Sequence, residues 1–317
     1  MDTTQSLISG VAVMLAIILL AVLLKKIGLL KKDDSLLFSR IVLKVTLPAV
    51  IFVSLAMKHF NSDYLVMSGI MALIEIMMVA LAWSVATLLR FKPGEKGALM
   101  LVSAFGMTAM LGYPIIRQAF PGNLLAMEEA VVTSELGVGL LLFILGPLIA
   151  MYYGEDAAVD GGTIVKSVKR FFVSPIFIAV IAGIAASFIP VSHDNEVFAT
   201  FTRFVRLVGH ANVLMVAFTI GLLVEFRKMK HLYLFLVLAI ILKLLVKPML
   251  AVWLTGMPQF TEMMREIVLI ETALPSAILT VVFAKQYNCR PDLVSAAIMV
   301  TLVLSVASVS LLFITFF

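Results

Sequence analysis

The sequence is short of almost everything that keeps a protein in water. Of 317 residues only 14% are charged, while 62% are hydrophobic and the mean hydropathy is +1.12. A soluble domain of this length needs far more polar surface, so a soluble fold is excluded. There is one cysteine, Cys289. It rules out an intrachain disulfide and, in a loop expected on the cytoplasmic side, fits a reduced thiol. The four histidines, His59, His193, His210 and His231, stand apart with no second His or Cys at ligand spacing, so no metal site is expected. Also lacking are a G-x-S-x-G elbow, an H-E-x-x-H pair, a Cys–His dyad and a Gly-rich phosphate loop. The chain therefore reads as neither an enzyme nor a nucleotide-driven pump. No loop is long enough to fold as a receptor domain, and no repeated filter or ring of like charges marks a channel.

What is abundant is apolar sequence in long runs. Ten recur, at 6–24, 36–57, 64–90, 97–120, 127–152, 171–190, 202–224, 232–256, 263–285 and 292–317. Each approaches the roughly 20 residues a helix needs to cross a hydrocarbon core. They are too long for barrel strands, so an all-α membrane protein of ten transmembrane helices is expected. The first run has no basic residue before it and no small-residue cleavage site after it, which predicts a retained helix rather than a signal peptide. With the N-terminus outside, fifteen Lys and Arg fall in inside loops and five outside: Lys58, Arg117, Arg203, Arg206 and Arg265. That bias predicts both termini outside the cell membrane. It also accounts for the net charge of +5 without invoking nucleic acid.

The longest loop, with its run GEDAAVDGG, reads as a flexible cytoplasmic linker over 153–170. It divides the chain into 1–152 and 171–317, five helices each. An odd number per half turns the second half upside down, giving a 5+5 inverted repeat of the kind common in secondary carriers.

Two runs are interrupted at corresponding places. The fourth carries Gly106, Gly112 and Pro114, and the ninth carries Pro275. Proline removes a backbone donor and glycine weakens a helix, so both helices are predicted to break. Paired breaks in the two halves point to a transporter's binding site. A half-helix that restarts after a break presents free N–H groups and a positive dipole end, suited to a carboxylate if the two helices cross. The candidate substrate-binding residues are Met107, Thr108, Gly112, Tyr113, Pro114, Thr272, Pro275 and Ser276. Unwound carbonyls there could hold a coupling cation, Na+ or H+, and no other cofactor is expected.

Ionisable groups inside hydrocarbon are costly and are functional candidates. Glu75, Glu135 and Glu271 read as deep, as do Lys44, Lys243 and Lys247, and three acids against three bases predict mutual pairing. Lys243 and Lys247 are one turn apart and share a face. Glu271, four residues before Pro275, is the acid closest to the proposed cradle. These six are the candidates for coupling or gating. The nineteen methionines are scattered, which reads as adaptable packing rather than a metal path.

The patterns LPAVIF, FGMTAMLGYP, SELGVGLLLFILGPLIA and ALPSAILTVVFAKQY, in this order, resemble the auxin efflux carrier family, bacterial branch. The likeness spans the whole chain. It implies that the fourth and ninth helices cross. It also implies an architecture related to the bile acid:sodium symporters. A scaffold of the first, second, sixth and seventh helices, often dimeric, would serve a transport unit made by the others. It implies transport of small organic anions such as malate or malonate, and it adds Asn212 of HANVLMVAFTIG to the coupling or gating candidates. Met107 stands where the family commonly has Asn, and no amide follows the Pro275 break. These departures favour a more apolar or bulkier acid. The expectation is a secondary carrier of mono- or dicarboxylates working by alternating access; the alternative is a sodium- or proton-coupled symporter of an amphipathic acid.

Overall fold

The computed structural model describes residues 3–56, 63–154, 169, 172–188, 196–223 and 233–316. The predicted linker over 153–170 falls almost wholly outside them. Every regular element among the described residues is helical. Five helices are long and apolar enough to cross a membrane: Leu37–Ala56, Leu65–Leu88, Leu124–Tyr153, Ala199–Leu222 and Tyr233–Thr255. Pro291–Ser305 with Ala307–Phe316, bent by 45°, makes a sixth when counted as one span. Pro175–Ser187 is apolar but shorter. The chain is thus a multi-pass helical membrane protein.

The solvent-facing surface agrees. Ile241, Leu245, Met249 and Trp253 follow one another at helical spacing and are 40%, 49%, 50% and 70% exposed, while Lys243 and Lys247 between them are fully buried. A helix with its apolar stripe outside and its amines inside is stable only where the surroundings are hydrocarbon.

Four segments are wound more widely than an α-helix: Val42–Thr46, Thr108–Gly112, Thr133–Gly139 and Ile241–Val246. Three of them are followed two residues later by a proline, Pro48, Pro114 and Pro248. A proline ring clashes with the carbonyl four residues earlier. Those carbonyls belong to Lys44, Met110 and Leu244, each inside the widened turn, so the wider winding absorbs the clash without ending the helix.

The helices group into two compact units. Unit 1 comprises Met1–Tyr64, Ala109–Val132 and Phe172–Glu225, and unit 2 comprises Leu65–Thr108, Thr133–Phe171 and Phe226–Phe317. Each unit draws on both halves of the sequence. In unit 1, Thr3–Lys26 packs on Asn212–Leu223, and Pro175–Ser187 on Leu47–Ala56. The first contact depends on Gly221, where a Cβ would lie 2.6 Å from the Ile18 carbonyl oxygen and 2.7 Å from the Ala21 Cβ. The helices that the resemblance assigns to a scaffold fall in this unit together with Tyr113–Ala119 and Leu124–Val132, which pack on Thr3–Lys26 and Leu47–Ala56 respectively. In unit 2, Pro93–Ala104 packs on Leu140–Tyr153 and Pro291–Phe316, and Lys247–Thr255 on Glu262–Ala273.

Candidate functional site

The site lies in unit 2, where two helices stop short inside the protein. Pro93–Ala104 starts firmly: Pro93 occupies the first turn, and the Glu95 carboxylate accepts from the Lys92 amide at 3.0 Å. It ends at Phe105, whose φ of −79° and ψ of 128° are extended. Glu262–Ala273 starts at Thr261, whose hydroxyl accepts from the Met264 amide at 3.2 Å. It ends at Leu274, with φ −66° and ψ 155°, because Leu274 precedes Pro275 and is pushed out of the helical region.

The two extended pieces pair. Gly106 and Ser276 form an antiparallel bridge. The Met107 amide donates to the Pro275 carbonyl at 2.9 Å, and the Ala277 amide to the Phe105 carbonyl at 3.0 Å. These residues are buried, and unpaired backbone groups in hydrocarbon cost several kcal/mol each. The two extended pieces are therefore held together by backbone groups that their helices leave unused. Gly106 permits the approach: a Cβ there would lie 3.1 Å from the Lys243 Nζ and 3.4 Å from the Glu271 carbonyl oxygen.

Two of the carbonyls left orphan at the end of Pro93–Ala104 accept from side chains elsewhere in unit 2. The Ser276 hydroxyl donates to the Val102 carbonyl at 2.6 Å. The amines of Lys243 and Lys247 both donate to the Ala104 carbonyl, at 3.2 and 2.6 Å. Two amines at a helix C-terminus complement its negative dipole end. Lys247 also forms an ion pair with Glu75, both fully buried. The Thr301 hydroxyl accepts from the Ser276 amide at 3.3 Å. The Glu271 side chain, fully buried one turn before the break, has neither carboxyl oxygen hydrogen-bonded. The Ser103 hydroxyl is likewise unpartnered.

Of the sequence-derived residues, Met107, Pro275 and Ser276 meet directly. Met107 contributes its backbone. Thr108 meets Ser134, their hydroxyl oxygens 2.6 Å apart. The Thr272 hydroxyl is spent on its own helix, donating toward the Val268 and Leu269 carbonyls. Gly112, Tyr113 and Pro114 are buried in unit 1. So is Asn212, whose amide oxygen accepts from the Thr46 hydroxyl at 2.8 Å. Glu135 is buried in the widened turn Thr133–Gly139.

The expected three-by-three pairing is corrected. Among the described residues Glu75 pairs with Lys247, Lys44 is exposed on the span Leu37–Ala56, whose other face packs in unit 1, and Glu271 forms no ion pair. Lys243, Lys247 and Glu75 converge because Ala104 ends its helix between them, a tertiary cause with no trace in spacing. Thr301 and Ser103 escaped sequence reasoning, being single hydroxyls in apolar runs outside the motifs; Ser134 opens the SELGVG stretch, but nothing in the sequence marks Thr108 as its partner. Among the described residues no group of three His, Cys, Asp or Glu could hold a metal.

Comparison with known proteins finds membrane transporters. The chain is 24% identical over 315 residues to an uncharacterized transporter of Methanothermobacter thermautotrophicus, covering 98% of this chain and 97% of that one. It is 23% identical over 309 residues to an uncharacterized transporter of Methanocaldococcus jannaschii, covering 95% and 96%. The model of the membrane transport protein family matches residues 6–155 and 163–313, nearly the whole chain. With its motifs and this match in agreement, the chain belongs to the membrane transport protein family, the family of auxin-efflux-carrier-like proteins.

Proposed function

We propose that the protein is a secondary carrier of small organic anions, mono- or dicarboxylates, in the cell membrane. Its ten spans form a 5+5 inverted repeat, with both termini outside. The extended pieces at Gly106 and Ser276 are the breaks of the fourth and ninth spans, and access alternates as the element carrying the crossing moves against a scaffold.

The observation that carries this reading is Lys243. Its amine is fully buried beside Gly106, close to Lys247 and Glu75, and among the described residues it donates to the Ala104 carbonyl. An ammonium has three donors, so it has capacity left for a carboxylate guest. The guest would be met by the Lys243 amine at the point where the second half-helices begin.

A proton-linked symport of a bulkier acid is the second reading, and Glu271 favours it. A carboxyl with no hydrogen-bond partner is free to exchange a proton. Sodium coupling is less favoured, since the Ala104 carbonyl that would ligate an ion already accepts from two amines.

The test is counterflow of labelled malonate, malate and benzoate into liposomes holding the purified protein, with sodium and proton gradients set separately. Exchange with at least one acid, lost in Lys243→Met, supports the carrier. No exchange of any of them overturns it.

A further inference from the structure

Unit 1 holds a second place built for a negative charge. A cavity of about 350 Å³ opens among Leu47–Ala56, Tyr113–Ala119 with the turn that follows, Leu124–Val132 and Glu196–His210. This size falls within the roughly 300–1,000 Å³ that small-molecule sites span. Val50, Val53 and Met127 supply an apolar wall. Arg117, Arg206 and His210 supply the polar part, with Ser54 and Asn123 as neutral neighbours.

The charges are one-sided. No carboxylate lines the cavity. Among the described residues Arg117 and Arg206 have neither an ion pair nor a hydrogen bond. Arg206 and His210 are four residues apart and project from one face of their helix. Arg117 comes from a different helix and is half-buried. Two guanidiniums brought to one cavity repel each other unless an anion sits between them. A planar fork of donors is the preferred partner for a carboxylate or phosphate.

We propose that this cavity binds an anion with an apolar body, its charged group held by Arg117 and Arg206 and its body laid against Val50, Val53 and Met127. The site does not depend on the reading of the crossing as a transport site. Two sources share the required chemistry, a free amphipathic acid and the headgroup of an anionic lipid.

Site-resolved arginine modification tests it. The full-length protein in phosphatidylcholine nanodiscs is treated with butanedione, and the rate at each arginine is followed by peptide mass spectrometry. Arg203, exposed on the same helix but not lining the cavity, is the internal control. Octanoate at about ten times its dissociation constant should slow modification of Arg117 and Arg206 by about tenfold and leave Arg203 unchanged. The same selective protection by phosphatidylglycerol in the nanodisc, without octanoate, supports the site and identifies a lipid as its occupant. Equal rates with and without both probes, or equal protection of all three arginines, overturn the proposal. Because the readout is local, it stands whether or not the protein transports octanoate.

Discussion

The amide of Met107 donates to the carbonyl of Pro275, 168 positions away in the chain, at 2.9 Å. This bond exists because Pro275 keeps Leu274 extended and presents a carbonyl that no helix uses. Pro275→Ala removes that bias. Helix Glu262–Ala273 is then free to run on and withdraw the carbonyl. Counterflow should fall by about tenfold or more, while the amount of protein inserted in the membrane stays near wild type. Wild-type exchange by the variant would separate the crossing from transport.

How much of this was legible beforehand differs from residue to residue. Pro275 and Gly106 announce breaks, because local backbone rules govern them. The shared face of Lys243 and Lys247 follows from a spacing of four. Their partner does not: Glu75 rather than Glu271 meets Lys247 because of how Leu65–Leu88 packs within unit 2. That Lys44 faces outward is equally invisible in the sequence, since an apolar run gives hydrophobicity but not which face turns inward. The runs around Pro114 and Pro275 have the apolar length of spans, yet each is cut into short helices, so length read from sequence and continuous helix part company there.

Gly106→Ala tests how tightly the crossing is fitted. The added methyl meets the Lys243 Nζ at 3.1 Å, close enough that the amine must give by a few tenths of an ångström. The lysine is the flexible partner, so the fold accommodates the change and the amine loses its place. Exchange should drop by about three- to tenfold with the melting temperature within a few degrees of wild type. A variant that unfolds, or one that transports normally, would argue against Lys243 as the anion's partner.

Lys247→Met breaks the buried pair with Glu75 and leaves its carboxyl without its ion-pair partner. The expected loss is about 3 kcal/mol, read as a lowered thermal midpoint in detergent. Adding Glu75→Leu should restore most of it, since replacing both partners leaves no uncompensated group. If the double variant is no more stable than the single one, the amine's bond to Ala104 dominates instead.

Glu271→Gln removes the ionisable group but no hydrogen bond, because neither oxygen has one. Stability should therefore change by less than about 1 kcal/mol. If Glu271 carries the coupling proton, the pH dependence of counterflow present in wild type flattens in this variant. A pH profile identical to wild type would remove Glu271 from the coupling step.

Cys289 gives a prediction outside the membrane spans. Its thiol is buried against Gly97, with its sulfur 3.6 Å from the Gly94 carbonyl, and burial pushes its pKa from the ordinary 9.0 up to about 12. The charged thiolate is the form that the fold disfavours. Below pH 9.0 the thiol is neutral in both folded and unfolded chains, and its contribution to stability is fully present. As pH rises from 9.0 toward about 12 the unfolded chain loses its proton first, so that contribution is progressively lost. Three units correspond to about a thousandfold less thiolate at neutral pH. A maleimide should therefore label the folded protein at pH 7.5 at least a hundredfold more slowly than the protein unfolded in dodecyl sulfate. Its rate on the folded protein should still be climbing at pH 10. Equal labelling of both forms at pH 7.5 would mean that the loop holding Cys289 opens freely to solvent.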